Sequence, residues 1–276
     1  MAERSAVRHD NPVPTPPFWG VKCLEQIPLK AVLPYINRNT LYKFQWGFKP
    51  RGRGPEQYRE YTRRELDPIL NRLAAENESR QVLKPQAVYG YFPCRGEGND
   101  LVIYTDPQGQ AERCRFTLPR QKSARRLCIA DFFRPAESGE MDVVGFMLVT
   151  VGQYAADFAR QLFAQDQYQE YLYWHGLAAE GAEGLAEFVH KRIRVELGFG
   201  REDARDLADL IKQRYRGSRY SFGYPACPNL ADQGKILQLL DAERIGVQLG
   251  DEDQLWPEHS TSAIVVHHPE AKYFIA

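Results

Sequence analysis

The sequence predicts a single α+β domain, with an antiparallel or mixed sheet and its helices packed to one side. Two observations carry this reading. Between residues 87 and 152, the segments AVYGYFP, DLVIY, ERCRFTL, LCIADFF and DVVGFMLVTVG follow one another. All are short and β-branched or aromatic, and turn-forming stretches separate them where a parallel sheet would need helical crossovers. After them the apolar spacing becomes helical, and the chain closes on one more strand-like run in STSAIVVHHPEAKYFIA.

Taken in order, residues 1 to about 20 form an arm. The stretch NPVPTPPFWG places four prolines within six positions, which excludes helix and inner strand and favours an extended, semi-rigid linker. Phe18 and Trp19 are suited to anchor its end on the domain that spans residues 21–276. A helical segment is expected over about 55–78, with Asp67 and Pro68 in N-cap and first-turn positions and Ile69, Leu70, Leu73 and Ala74 as its apolar stripe. The strands come next, and helices are then expected over about 153–174, 177–196, 203–213 and 231–241. The end reads as a strand, a turn at Pro269 and a last extended piece.

Composition narrows the function classes. The 36 basic and 36 acidic side chains cancel, so the basic excess of a nucleic-acid binder is missing. No apolar run approaches the ~20 residues of a membrane span, and MAERSAVRHD lacks the core of a secretory signal. The chain is expected to be cytoplasmic, without membrane or nucleic-acid partners. Its five cysteines are scattered and never spaced as C-x-x-C, which argues against a disulfide framework or a zinc ribbon. Phosphate-binding loops, nucleophile elbows and H-E-x-x-H motifs are all missing from the sequence.

Three constellations remain. Glu183, Glu187, His190 and Arg194 recur at helical spacing on one face. They read either as a functional stripe or as a solvated face of ion pairs; EFVH alone, without a second Glu-x-x-His, does not make a di-iron site. His267 and His268 are neighbours on a strand, point to opposite faces and so cannot easily share a metal, and His175 is expected at a helix end; structural roles suit all three. The segment RYSFGYPACP, residues 219–228, carries the strongest signal. Arg219 offers a planar fork for a carboxylate or phosphate. Tyr220, Phe222 and Tyr224 offer aromatic faces to a flat ring or a cation. On chemistry alone this loop is equally a ligand cradle or the edge of the core.

RYSFGYPACP resembles the Arg-x-x-x-Gly-Tyr-Pro-Ala-Cys-Pro signature of the activation domain of cobalamin-dependent methionine synthases. The stretches AVYGYFPCRGEGNDLVIY, CIADFF, GFMLVTVG, AEFVHKRIR and PEHSTSAIVVHHPEAKYF resemble that family in the same order, over about residues 20–276. The resemblance implies a domain that binds S-adenosylmethionine and supplies its methyl group for reductive remethylation of cob(II)alamin to methylcobalamin. The alternative is a non-catalytic docking module that caps the cobalamin domain or recruits the reductase.

By resemblance, Arg219 holds the methionyl carboxylate or its polar neighbours, and Ser221 acts through its main chain. Tyr224 and Tyr273 line the pocket near the sulfonium, and Glu183 binds the ligand. The family's aspartate near the start of the domain falls on Asn37, or one residue on, at Arg38. Implied partners are a cobalamin-binding domain, in the same polypeptide or in a split subunit, and a flavodoxin-like or other reductase. No modules for homocysteine, folate or cobalamin accompany the domain in this chain, and the proline-rich arm favours a piece of a larger polypeptide.

Overall fold

The computed structural model describes residues 4–122 and 125–276. Strand β1 (Gly20–Leu24) leads into the short helical turns α1 (Leu29–Val32) and α2 (Arg38–Thr40), then α3 (Pro55–Tyr61) and α4 (Asp67–Arg80). Strands β2 (Gln86–Glu97), β3 (Asp100–Tyr104), β4 (Glu112–Thr117) and β5 (Asp142–Thr150) follow. Helices α5 (Gln153–Ala164), α6 (Tyr168–Glu196) and α7 (Leu207–Ile211) precede β6 (Ser218–Ser221) and α8 (Gln233–Leu240). A small hairpin of β7 (Gln248–Leu249) and β8 (Leu255–Trp256) leads to β9 (Ser260–Val266).

The main sheet has the order β4-β3-β2-β5-β9-β6, with β1 also paired to β2, and its ladders are antiparallel. Every residue of β5 is buried, as expected for a central strand covered on both faces. Alternation along the strands builds two apolar layers. Tyr89, Tyr91, Met147, Val149 and Val265 pack with α5 and α6. Val88, Phe92, Phe146, Leu148 and Ile264 pack instead with α8 and the segments around Cys128–Phe133 and Phe222–Cys227. The long helices α4, α5 and α6 therefore lie on one face, and the opposite face is closed by one short helix and irregular chain.

Four local expectations are corrected. The LCIADFF segment does not pair as a strand; Ile129–Phe132 is a tight helical turn. The Asp131 carboxylate bends it, accepting from Cys128 N (3.1 Å) and from the Arg120 guanidinium (2.9 Å), so a local polar turn outweighs a β-favourable composition. Asp67 is not an N-cap, because helix runs on from α3 through a wide turn at Thr62–Leu66 into α4. That widened turn accommodates Pro68, which would otherwise clash with the preceding turn. The expected break near residue 175 is also absent: α6 is continuous and places His175 inside a helix. The expected helix over about 203–213 shortens to α7, with Asp206 accepting from Ala208 N (2.9 Å) as its cap.

Two glycines explain how α6 lies so close to the N-terminal segment. A methyl group at Gly176 would meet Gln45 and Trp46 at 2.8–2.9 Å, and one at Gly184 would meet the Ile36 backbone at 3.2 Å. The arm is held as well. Arg4 donates to the carbonyls of Gly96 (2.7 Å) and Phe133 (2.9 Å). Phe18 packs on Tyr91 with ring centroids 5.1 Å apart, whereas Trp19 is exposed.

The paired histidines take structural positions. His267 Nε2 lies 2.7 Å from Asp142 Oδ1 in the interior, and His268 Nε2 lies 2.7 Å from the Arg8 carbonyl. Asp142 also accepts from Arg134 N (2.8 Å) and Val143 N (2.7 Å). Burial opposes its ionisation, but these hydrogen bonds outweigh burial and hold its pKa below the ordinary value. A depressed carboxyl pKa stabilises the fold above the unfolded value of about 4 and loses that contribution as pH falls below it. Asp142→Asn should therefore cost about 2–4 kcal/mol at pH 7. Urea titrations of both proteins at pH 7 and at about pH 3 should show the gap narrowing in acid.

Candidate functional site

The site is built where β6 lies at the edge of the sheet against α6. Arg219 pairs across the ladder with Val265 and Ser221 with Ala263. Strand alternation puts Arg219 and Ser221 on one face and Tyr220 on the other. Tyr220 is thereby committed to the second core layer. Its ring packs against Phe132 and Phe274, and its hydroxyl donates to the Lys272 carbonyl (2.9 Å). That bond ties the signature loop to the C-terminal segment carrying Tyr273.

Arg219 faces a cavity of about 230 Å³ whose wall also includes Tyr35, Asn37, Glu180, Glu183 and Glu187. Its Nη1 donates to Glu187, and its Nη2 lies 3.9 Å from Glu183. Burial alone would weaken the guanidinium charge, but Glu187, Tyr215 and Glu183 together outweigh burial and hold the pKa above the ordinary value. Glu187 is itself fixed: it accepts from Arg194 Nη2 (3.1 Å) and the Tyr215 hydroxyl (3.3 Å). Arg194 is fully buried, grips Asp203 through Nε (2.8 Å) and Nη2 (2.9 Å), and stacks 3.9 Å over the Tyr215 ring. The sequence stripe is thus no solvated face. Glu187, His190 and Arg194 point inward, and only Glu183 is open to solvent. His190 packs edge-on to Tyr215, and burial pushes its pKa well down, so its ring is neutral.

A second cavity of about 250 Å³ shares Glu180 and Glu183 with the first and continues toward Gln45, His259 and Ser260. Glu180 is only 6% exposed. Burial pushes it up to about 7, against a hydrogen bond from Gln45 and with a small push from Glu183. A cation in either cavity would favour ionisation of this carboxyl. A larger cleft of about 920 Å³, between residues 25–33 and α4, holds none of the residues selected from sequence.

Of the six residues selected from sequence, Asn37, Glu183 and Arg219 come together at one cavity. Asn37 caps α2, its Oδ1 accepting from Thr40 N (3.2 Å), while Arg38 points to Asp67 at 3.1 Å. Ser221 ends β6, half-buried beside Arg219. Tyr224 and Tyr273 do not line the cavity wall and are 56% and 46% exposed. The loop holding Tyr224 is tight, with Gly223 N to Cys227 O at 2.9 Å and Cys227 N to Tyr224 O at 2.8 Å. Gly223 adopts φ +86°, which favours glycine. Cys227 is a buried thiol whose pKa burial raises further. Sequence reasoning missed Glu180, Tyr215 and the clamping roles of Glu187 and Arg194. The i,i+4 step from Glu183 to Glu187 was visible, but which way the stripe faced was not.

The family described as vitamin B12 dependent methionine synthase, activation domain, matches residues 28–276. The methionine synthase of Mycobacterium tuberculosis is 46% identical over 288 residues, covering 99% of this chain and 24% of the relative. That of Mycobacterium leprae is 43% identical over 287 residues, again covering 99% and 24%. The chain thus spans about a quarter of the length of these curated relatives. A crystal structure of the MetH reactivation domain bound to AdoHcy superposes with a TM-score of 0.86 at 27% identity, over 95% of this chain and 83% of that one.

Proposed function

This chain belongs to the family of vitamin B12-dependent methionine synthase activation domains, and from that premise we propose that it binds S-adenosylmethionine in the α6–β6 cleft and presents its methyl group to reduced cobalamin. The observation that carries the reading is the convergence of one half-buried, clamped guanidinium with a carboxylate, an amide and a buried carboxyl on a single cavity. The ligand's α-carboxylate suits the Arg219 fork, of which Nη1 donates to Glu187 while Nη2 lies 3.9 Å from Glu183. Its sulfonium and ammonium suit Glu183 and Glu180. Asn37 supplies an amide at the rim, and Ser221 contributes main-chain groups where β6 ends. Tyr224 and Tyr273, exposed outside the cavity wall, offer aromatic faces to the methyl side of a ligand that projects from it, and these attract a cation without needing a hydrogen bond from sulfur.

The methyl leaves sulfur with the S–C electron pair staying on sulfur, giving the neutral thioether, and no proton moves. The nucleophile is cobalt of cob(II)alamin after one further electron, delivered by a flavodoxin-like or other reductase. The cobalamin sits on a partner domain, within the same polypeptide or in a split subunit. The chain's own work is orientation and exclusion of water around the sulfonium. Among the described residues no helix is long and apolar enough to cross a membrane.

Isothermal titration calorimetry with S-adenosylmethionine and with its thioether product tests the reading; absence of heat at millimolar ligand for both would leave only the docking-module alternative. The two ligands also differ by one positive charge, which makes Glu180 a measurable participant. As pH rises through about 7, Glu180 ionises and favours the cationic ligand. The affinity ratio of sulfonium over thioether should grow severalfold between about pH 6 and 8, and Glu180→Gln should flatten it. An unchanged slope in that variant would remove Glu180 from the site.

A further inference from the structure

Beyond the pocket assigned to the methyl donor, two imidazoles and a carboxylate meet beside the second cavity. His175 on α6 and the pair Glu258–His259 before β9 each offer one donor atom, and these atoms lie within 4.8 Å of one another. The rings of His175 and His259 are 5.0 Å apart and cross at 66°. Both come from braced elements. Tyr171, one turn earlier on α6, stacks on His175 at 5.4 Å, and the His259 carbonyl accepts from Val151 N (3.2 Å).

His259 is 6% exposed, and its Nε2 is buried without a hydrogen-bond partner. Buried polar nitrogens are nearly always satisfied, and each exception calls for an explanation. A metal bond is one that suits an imidazole lone pair beside a second imidazole. Glu258 is exposed, so its carboxylate can swing inward. We propose that His175, Glu258 and His259 bind one divalent transition-metal ion of the zinc class. The donor set is two nitrogens and one oxygen, which suits zinc, cobalt or nickel and not the all-oxygen preference of magnesium or calcium. Bond lengths of about 2.0–2.1 Å place tetrahedral donors about 3.4 Å apart, so a rotamer change at Glu258 and small ring rotations close the site. Glu258 and His259 also line the cavity that contains Glu180 and Glu183, which leaves a fourth position open to water or to a ligand donor.

The proposal does not depend on S-adenosylmethionine binding, and its test uses none. The full chain, stripped with a chelator, is titrated with Co²⁺ and then with Zn²⁺. Expected are visible d–d absorption saturating at one equivalent, its loss on adding Zn²⁺, and a rise in thermal midpoint with Zn²⁺. His175→Ala and Glu258→Gln should each weaken Zn²⁺ at least tenfold. His9→Ala and His268→Ala, which alter the separate His9–His268 ring contact, should leave it unchanged. Glu258 is exposed, so its variant retains the fold and keeps the test decisive. Absent cobalt absorption, or a Zn²⁺ affinity equal in wild type and Glu258→Gln/His175→Ala, would overturn the site.

Discussion

Arg219→Ala is expected to lower the affinity for S-adenosylmethionine by about thirtyfold to several thousandfold, with the fold retained. The range follows from removing one partner of a largely buried, hydrogen-bonded charge pair, about 2–5 kcal/mol, at tenfold per ~1.4 kcal/mol. Two features place this arginine toward the upper part of the range. Its guanidinium is held by Glu187, so the fork is oriented before ligand arrives. The variant also leaves Glu183 and Glu187 facing the cavity with one less positive charge, which penalises the ligand carboxylate a second time. Arg219→Lys should not restore binding, because an ammonium cannot serve Glu187 and a ligand carboxylate through one planar fork. The fold survives because Glu187 keeps Arg194 and Tyr215. Calorimetry alongside thermal unfolding checks both halves; a dissociation constant within threefold of wild type would remove Arg219 from the binding machinery.

Legibility in the sequence followed interaction range. Strands β2, β3, β4, β5 and β9 were readable because burial on a sheet selects β-branched and aromatic runs locally. Strand β6 was not: SRYS is four residues with no apolar alternation, and it is a strand only because β9 lies beside it. The helical turn at Ile129–Phe132 was misread for the converse reason, since its apolar residues fill the core while Asp131 bends the backbone. Continuity of α6 through Gly176 was hidden because the glycine there serves close approach to Trp46, not chain reversal. At the site, the signature loop and Glu183 were legible as residue types. Which way Glu187 and Arg194 face depends on how α6 packs on the sheet, a fact that helical spacing leaves free.

That packing makes Arg194 the side chain whose loss should affect the fold most. Arg194→Ala is expected to destabilise the domain by about 3–5 kcal/mol, the cost of stranding buried partners of an ion pair. It removes the hydrogen bonds to Asp203 and Glu187 together with the contact on Tyr215. For a domain of this size about 4 kcal/mol corresponds to a fall in thermal midpoint of roughly 10 °C. Arg194→Met distinguishes packing from charge: it restores the stem volume but not the fork, so it should recover only a minor part of the loss. The effect should also reach the ligand. With Arg194 gone, Glu187 keeps only Tyr215 and Arg219, and the freed carboxylate can draw the guanidinium away from the cavity. Affinity for S-adenosylmethionine should then fall about tenfold, near ~1.4 kcal/mol, below the thermal midpoint of the variant, where it is still folded. A double-mutant cycle with Glu187→Gln separates the two routes. If Arg194 acts on the ligand through Glu187, the affinity losses of the two single variants will not add; full additivity would show that Arg194 only supports the fold.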